Sequence, residues 1–190
     1  IADMLSKVGG LASLAGLKIG KNKLTKSVLA LEILKSRSFI KSFIEKHNLL
    51  VPLMAANGWD RDANKLLIDE NDYNLQENKW IRNVSPPKQV IPSDREAHQA
   101  FMDTLKVSEC ENSLVTISIN FYSPEIAKQW VDWLVRDLNE HIKNQDREDA
   151  QKSIQYLQNE LDLTTLTKMH AIFYQLIEEQ TKIIMLANVR

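Results

Sequence analysis

The period at which apolar residues recur changes along this chain of 190 residues, and each change predicts an element. The small, apolar run Val8-Gly-Gly-Leu-Ala-Ser-Leu-Ala-Gly-Leu17 carries glycines that disfavour a long helix, so it predicts a short helix or loop. After Asn22, a candidate N-cap, Leu24, Val28, Leu31 and Leu34 recur at helical spacing and predict a helix ending near Ser36. Ser38 is placed to cap a second helix, with Phe39, Ile40, Phe43 and Ile44 on its core face and Lys41, Glu45 and Lys46 opposite. Pro52, Asn57-Gly58 and the acidic residues around Asp60 and Asp69–Asp72 break the following stretch into short helices and turns.

Ser85-Pro-Pro87 and Pro92 predict an extended connector, because each proline moves its predecessor out of the helical region. The connector ends at Ser93-Asp-Arg-Glu96, which has the capping-box spacing, and Phe101 and Leu105 continue the face of the helix it starts. Leu105–Ser108 and Leu114–Phe121 flank a polar turn and predict an antiparallel hairpin, with Val115, Ile117, Ile119 and Phe121 on one side of the second strand. Two strands alone are marginal, so further strands are expected, either near Trp80–Val84 or in sequence outside this chain. Ser123-Pro124 supplies an N-cap and an N1 proline, with Glu125 at the positive end of the helix dipole. Ile126, Trp130, Leu134, Leu138 and Ile142 follow every four residues, widened by Val131 and Val135, and neither Gly nor Pro occurs from Glu125 to Leu161. A helix over that span would be about 57 Å long, at about 1.5 Å per residue. Its middle, Lys143–Asp149, has no apolar residue, which predicts a stretch lying in water where the helix leaves a globular body. The threonines within Leu163–Thr167 favour a kink or reversal. Met169, Ile172, Phe173, Leu176, Ile183, Ile184 and Ala187 then form a narrower seam, interrupted by Gln180, that asks for partner helices.

Composition narrows the reading to a folded chain: 44% hydrophobic and 26% charged residues exclude fibrous and disordered classes. No uncharged run reaches the roughly 18 residues of a membrane span. The chain opens at Ile1 without methionine and reads as a piece of a longer protein. A net charge of −1 gives no whole-molecule reason to expect nucleic acid, although the first 50 residues carry nine basic and three acidic side chains. A single cysteine, Cys110, excludes an internal disulfide and cysteine-rich metal motifs. Gly16-Leu-Lys-Ile-Gly20-Lys21 has the wrong spacing for a phosphate loop, and His47, His98, His141 and His170 lack metal-ligand spacing. The acidic clusters lack the calcium-loop pattern, no Gly-x-Ser-x-Gly elbow occurs, and Trp130 and Trp133 sit at helical spacing that suits packing better than sugar stacking. Neither a catalytic residue nor a cofactor or metal site is expected.

Several segments, in order, carry a resemblance: Gly10-Leu-Ala-Ser-Leu-Ala-Gly16, Ser36-Arg-Ser-Phe-Ile40, Trp80, Pro92-Ser93, Val115–Ile119, Ser123-Pro124 through Trp130, Asn139, Ser153–Leu157, Leu176–Lys182 and Met185–Ala187. Together they resemble the periplasmic domain of the polysaccharide co-polymerases, the Wzz-type chain-length determinants of bacterial O-antigen synthesis. The resemblance implies a mainly helical α+β fold: a small membrane-proximal α/β base over residues 1–123, with a β-hairpin, and a long extended helical hairpin arm over 124–190. It implies a homo-oligomer without bond-making residues, held in the inner membrane by spans outside this sequence. Its partners would be the O-antigen polymerase and the growing polysaccharide, and not nucleic acid. Met169, Ile172, Leu176, Ile183 and Ala187 are the candidate oligomer interface. Related co-polymerases for capsule and exopolysaccharide carry or recruit a tyrosine kinase, which, without a phosphate loop here, would lie elsewhere. A coiled-coil adaptor unconnected with glycans would use the same seam.

Overall fold

In a computed structural model that describes residues 22–109, 115–163 and 167–189, the three- and four-residue repeats are helical and the chain has a mainly helical α+β fold. Helices α1 (Asn22–Lys35), α2 (Arg37–Lys46) and α3 (Leu50–Ala55) lead into strands β1 (Ala56–Asp60), β2 (Lys65–Ile68), β3 (Tyr73–Asn74) and β4 (Lys79–Trp80). Helix α4 (Asp94–Thr104), strands β5 (Leu105–Glu109) and β6 (Val115–Ile119), and helices α5 (Pro124–Leu163) and α6 (Thr167–Val189) follow. The small-residue run at 8–17, Cys110 with most of its turn, the side chains of Asn22 and Leu24, and the threonine-rich junction at 164–166 lie outside the described residues.

Ser36, not Ser38, caps α2. One extended residue separates α1 from α2, and Ser36 occupies it with φ −67° and ψ 145°, its Oγ accepting the Phe39 amide at 3.3 Å. Among the described side chains of the apolar face of α1, Leu34 is buried, Leu31 is half-buried and Val28 is exposed. Residues 56–80, expected as short helices and turns, form two hairpins instead, and their turns are built by side chains. Asp60 Oδ1 accepts the amides of Asp62 and Ala63, Asn74 Oδ1 accepts those of Gln76 and Glu77, and Asn64 and Asn78 take positive φ. Trp80, in the region expected to supply a further strand, pairs with Tyr73, and their rings meet edge-on at 5.1 Å. The third hairpin is the expected antiparallel one, and its register runs from Leu105 opposite Ile119 to Glu109 opposite Val115. Each pair is a separate two-stranded antiparallel sheet.

Two compact units divide the chain. The first, Lys26–Leu138, has its core where α2, α4 and α5 bring together Phe43, Phe101 and Trp130. The Phe43 and Phe101 ring centroids lie 5.4 Å apart, Trp130 lies 6.3 Å from Phe101 and 4.4 Å from Phe121, and Ile40 and Leu134 are fully buried. Each such side chain contributes about 1.5–3 kcal/mol by leaving water. The second unit includes Asn139–Arg190, within which Ala150, Leu157 and Phe173 are buried. The unit boundary at Leu138/Asn139 falls inside α5, whose Trp130 and Leu134 complete the first core. α5 begins as its sequence predicts, with buried Ser123 accepting the Ile126 amide, and runs unbroken through Lys143–Asp149 for about 60 Å. No helix among the described residues is long and apolar enough to cross a membrane.

Candidate functional site

On α6 the five predicted interface residues share one side. At about 100° per residue, Met169, Ile172, Leu176, Ile183 and Ala187 fall within an arc of about 60°. The packed side centres next to them, on buried Phe173 and half-buried Gln180 and Ile184. Met169, Leu176 and Ala187 are half-buried at its margin, whereas Ile172 is 45% and Ile183 40% exposed. Leu186, also exposed, extends that outer edge. Gln180, the interruption in the seam, thus belongs to the packed side. Glu178 and Lys182 pair at 2.8 Å on the far, solvated side, and the Lys182 hydrogen bond and charge hold the Glu178 carboxyl below its ordinary range.

A buried ion-pair cluster joins α2 to α5 in the first unit. His47 Nε2 donates to Asp137 Oδ2 at 2.7 Å, and Lys46 Nζ donates to Asp137 Oδ1 at 3.1 Å. The His47 and Asp137 side chains are only 9% and 7% exposed. The His47 ring stacks on Trp133 at 4.3 Å with planes 10° apart and meets Phe43 at 5.0 Å. Burial pushes the Asp137 carboxyl up, but the hydrogen bonds and charges of His47 and Lys46 outweigh it and hold the carboxyl below its ordinary value. His47, which lacks metal-ligand spacing in the sequence, is held by Asp137 and stacked on Trp133. Asp137 is not among the residues the sequence singles out, although seven residues after Trp130 an acid comes within about 20° of the core face. Trp130 is spent in the core, and Trp133 is covered by His47.

The connector is fastened to α4 by buried Arg82. Its Nε donates to the Val90 carbonyl at 2.9 Å, Nη2 to the Gln89 carbonyl at 2.7 Å and Nη1 to Glu96 Oε1 at 3.2 Å, while the guanidinium carbon lies 5.9 Å from the Trp80 ring centre. Glu96 completes the predicted capping box: Oε2 accepts the Ser93 amide and hydroxyl at 3.0 Å each, and the Glu96 amide reaches Ser93 Oγ at 3.4 Å. The Ser93 amide first, and then Arg82, lower the Glu96 carboxyl to about 2. Between connector and helix lies an open groove of about 770 Å³, lined by Arg82, Lys88, Gln89, Arg95, Gln99 and Asp103 among others. Among the described residues no three His, Cys, Asp or Glu side chains gather as a metal-binding group. No protein family, curated protein or solved structure matches the chain.

Proposed function

We propose that this chain is the periplasmic part of a Wzz-type regulator of lipopolysaccharide O-antigen chain length, a homo-oligomeric scaffold that works beside the O-antigen polymerase in the bacterial inner membrane. The ordered resemblance along nearly the whole sequence supports this reading, and so does the mainly helical α+β fold with its continuous α5. The observation that carries it is the outer edge of the α6 seam. Ile172, Ile183 and Leu186 continue the apolar stripe past the part the chain itself covers, which is the arrangement a second copy would complete. Oligomer geometry would then bias how long a growing glycan stays with the polymerase, and no side chain makes or breaks a bond.

The test is the pair Ile172→Asp and Ile183→Asp in the full-length protein. Both positions are exposed, so the fold should hold while the seam becomes charged. Sedimentation velocity should show dispersal of the oligomer, and lipopolysaccharide gels should show a broadened length distribution. An intact oligomer with an unchanged banding pattern would sink the scaffold reading.

A further inference from the structure

Asn57 precedes glycine, which no other asparagine of the chain does, and the fold leaves it outside the strand ladder. Ala56 stands opposite Ile68 and Gly58 opposite Leu67, so Asn57 is the extra residue of a β-bulge, and it is exposed. The sheet around it consists of β1 and β2 alone, a pairing that opens cheaply because no third strand holds it. Gly58 has no Cβ to shield its amide nitrogen from the neighbouring side chain. The Asn57 side chain meets Asp69: the backbone and side-chain amides of Asn71 first, and the Asn57 amide with them, hold that carboxyl below its ordinary range. Asp69 also joins two hairpins. Its amide donates to the Ala55 carbonyl at 2.7 Å and its carbonyl accepts the Tyr73 amide at 3.0 Å, and Ala55 and Tyr73 share a buried cluster with Trp80.

From this geometry we infer that Asn57-Gly58 is a site of spontaneous deamidation, which loosens the β1–β2 hairpin as the protein ages. The Gly58 nitrogen gives its proton to solvent and attacks Asn57 Cγ; the new N–C bond closes a succinimide ring, and Nδ2 takes up a proton and leaves as ammonia. Water then opens the ring at either carbonyl and leaves aspartate or isoaspartate at position 57, so that water is consumed and ammonia released. Either product replaces an amide donor with a carboxylate facing Asp69, which removes a hydrogen bond and sets like charges against each other. Isoaspartate also lengthens the β1 backbone and displaces the pairing of Gly58 with Leu67.

The 190-residue chain is aged in mildly alkaline buffer, folded and, in parallel, in urea, and then mapped by peptide mass with fragmentation. In the folded sample Asn57 should gain the mass of an oxygen over an NH group before any other asparagine does, and an isoaspartyl methyltransferase should label that peptide. Brief trypsin treatment of the aged folded chain should cut after Arg61 and Lys65, in and beside the β1–β2 turn, several-fold faster than in fresh chain. Asn57→Asp should show the faster cutting without ageing, whereas Gly58→Ala should keep its fresh rate after ageing. Alanine fits there: Gly58 does not take a positive φ, and the added Cβ would lie 3.3 Å from Leu67 Cδ1, the free end of a side chain that is 49% exposed. Gly58→Ala is compared with itself before and after ageing, so its own strain cancels. Mass gain in urea alone, mass gain in the folded chain with unchanged cutting, slow cutting of Asn57→Asp, or equal ageing of Gly58→Ala would overturn the proposal.

Discussion

Asp137 is a carboxylate on the core side of a helix, tolerable only because His47 and Lys46 donate to both of its oxygens. Asp137→Ala leaves the buried His47 Nε2 without its acceptor, and a stability loss of about 1.5–3 kcal/mol is expected. A double-mutant cycle with His47→Ala should return a coupling of about 0.5–3 kcal/mol, whereas additive losses would mean the pair contributes no more than its separate packing. Glu96 makes a pH prediction. Its carboxyl is lowered from 4.5 to about 2 when folded, so the folded state binds fewer protons there than the unfolded chain does. The stabilisation is complete above about 4.5 and disappears as pH falls through about 2. Glu96→Gln keeps an acceptor for the capping box but loses the charge. Urea midpoints of the variant should therefore fall less steeply between those pH values, with the remaining slope owed in part to Asp137, which is also lowered. All four tryptophans lie in the Lys26–Leu138 unit, so their fluorescence follows the unit under test.

At the scale of elements, the caps separate two serines that the sequence alone confuses. Ser36→Ala should cost about 1 kcal/mol by orphaning the Phe39 amide, while Ser38→Ala should stay within about 0.5 kcal/mol, and equal losses would mean the cap is shared. What was legible was local. The box at Ser93–Glu96, the start at Ser123-Pro124 and the alternation from Val115 to Ile119 are each signalled within a few residues. A strand near Trp80 is expected, but β1 to β3 have no signal of their own, because these strands are two to five residues long, with turns made by Asp60 and Asn74 side chains rather than by a hydrophobic period. The unit boundary within α5 has no signal in the sequence, because the apolar stripe does not change there. The polar cluster was hidden by distance, since His47 and Asp137 are separated by 90 positions. In the groove, Arg82 is recognisable only once the connector has folded back onto it. The α6 face was legible, but not its division into a packed margin and an exposed edge, which depends on neighbours the pattern does not name.

For the whole molecule, the decisive element is α5, which contributes to both units and stays continuous through a stretch without apolar residues. No apolar side chain of its own backs the helical hydrogen bonding there, so continuity leans on backbone propensity and on the packed stretches either side. Gln145 is exposed in that stretch, and Gln145→Pro removes an amide donor and clashes with the preceding turn, at a cost of about 3 kcal/mol to the helix. Because Gln145 lies beyond Leu138, the tryptophan-reported unfolding of the first unit should be unchanged, and Gln145→Ala should be silent in every assay. If an unbroken α5 is what makes copies assemble in a fixed geometry, Gln145→Pro should broaden the glycan length distribution as much as charging the α6 seam does. A sharp, wild-type banding pattern from a protein whose circular dichroism confirms the broken helix would separate length control from the rod, and would move the weight of the scaffold reading onto the α6 edge alone.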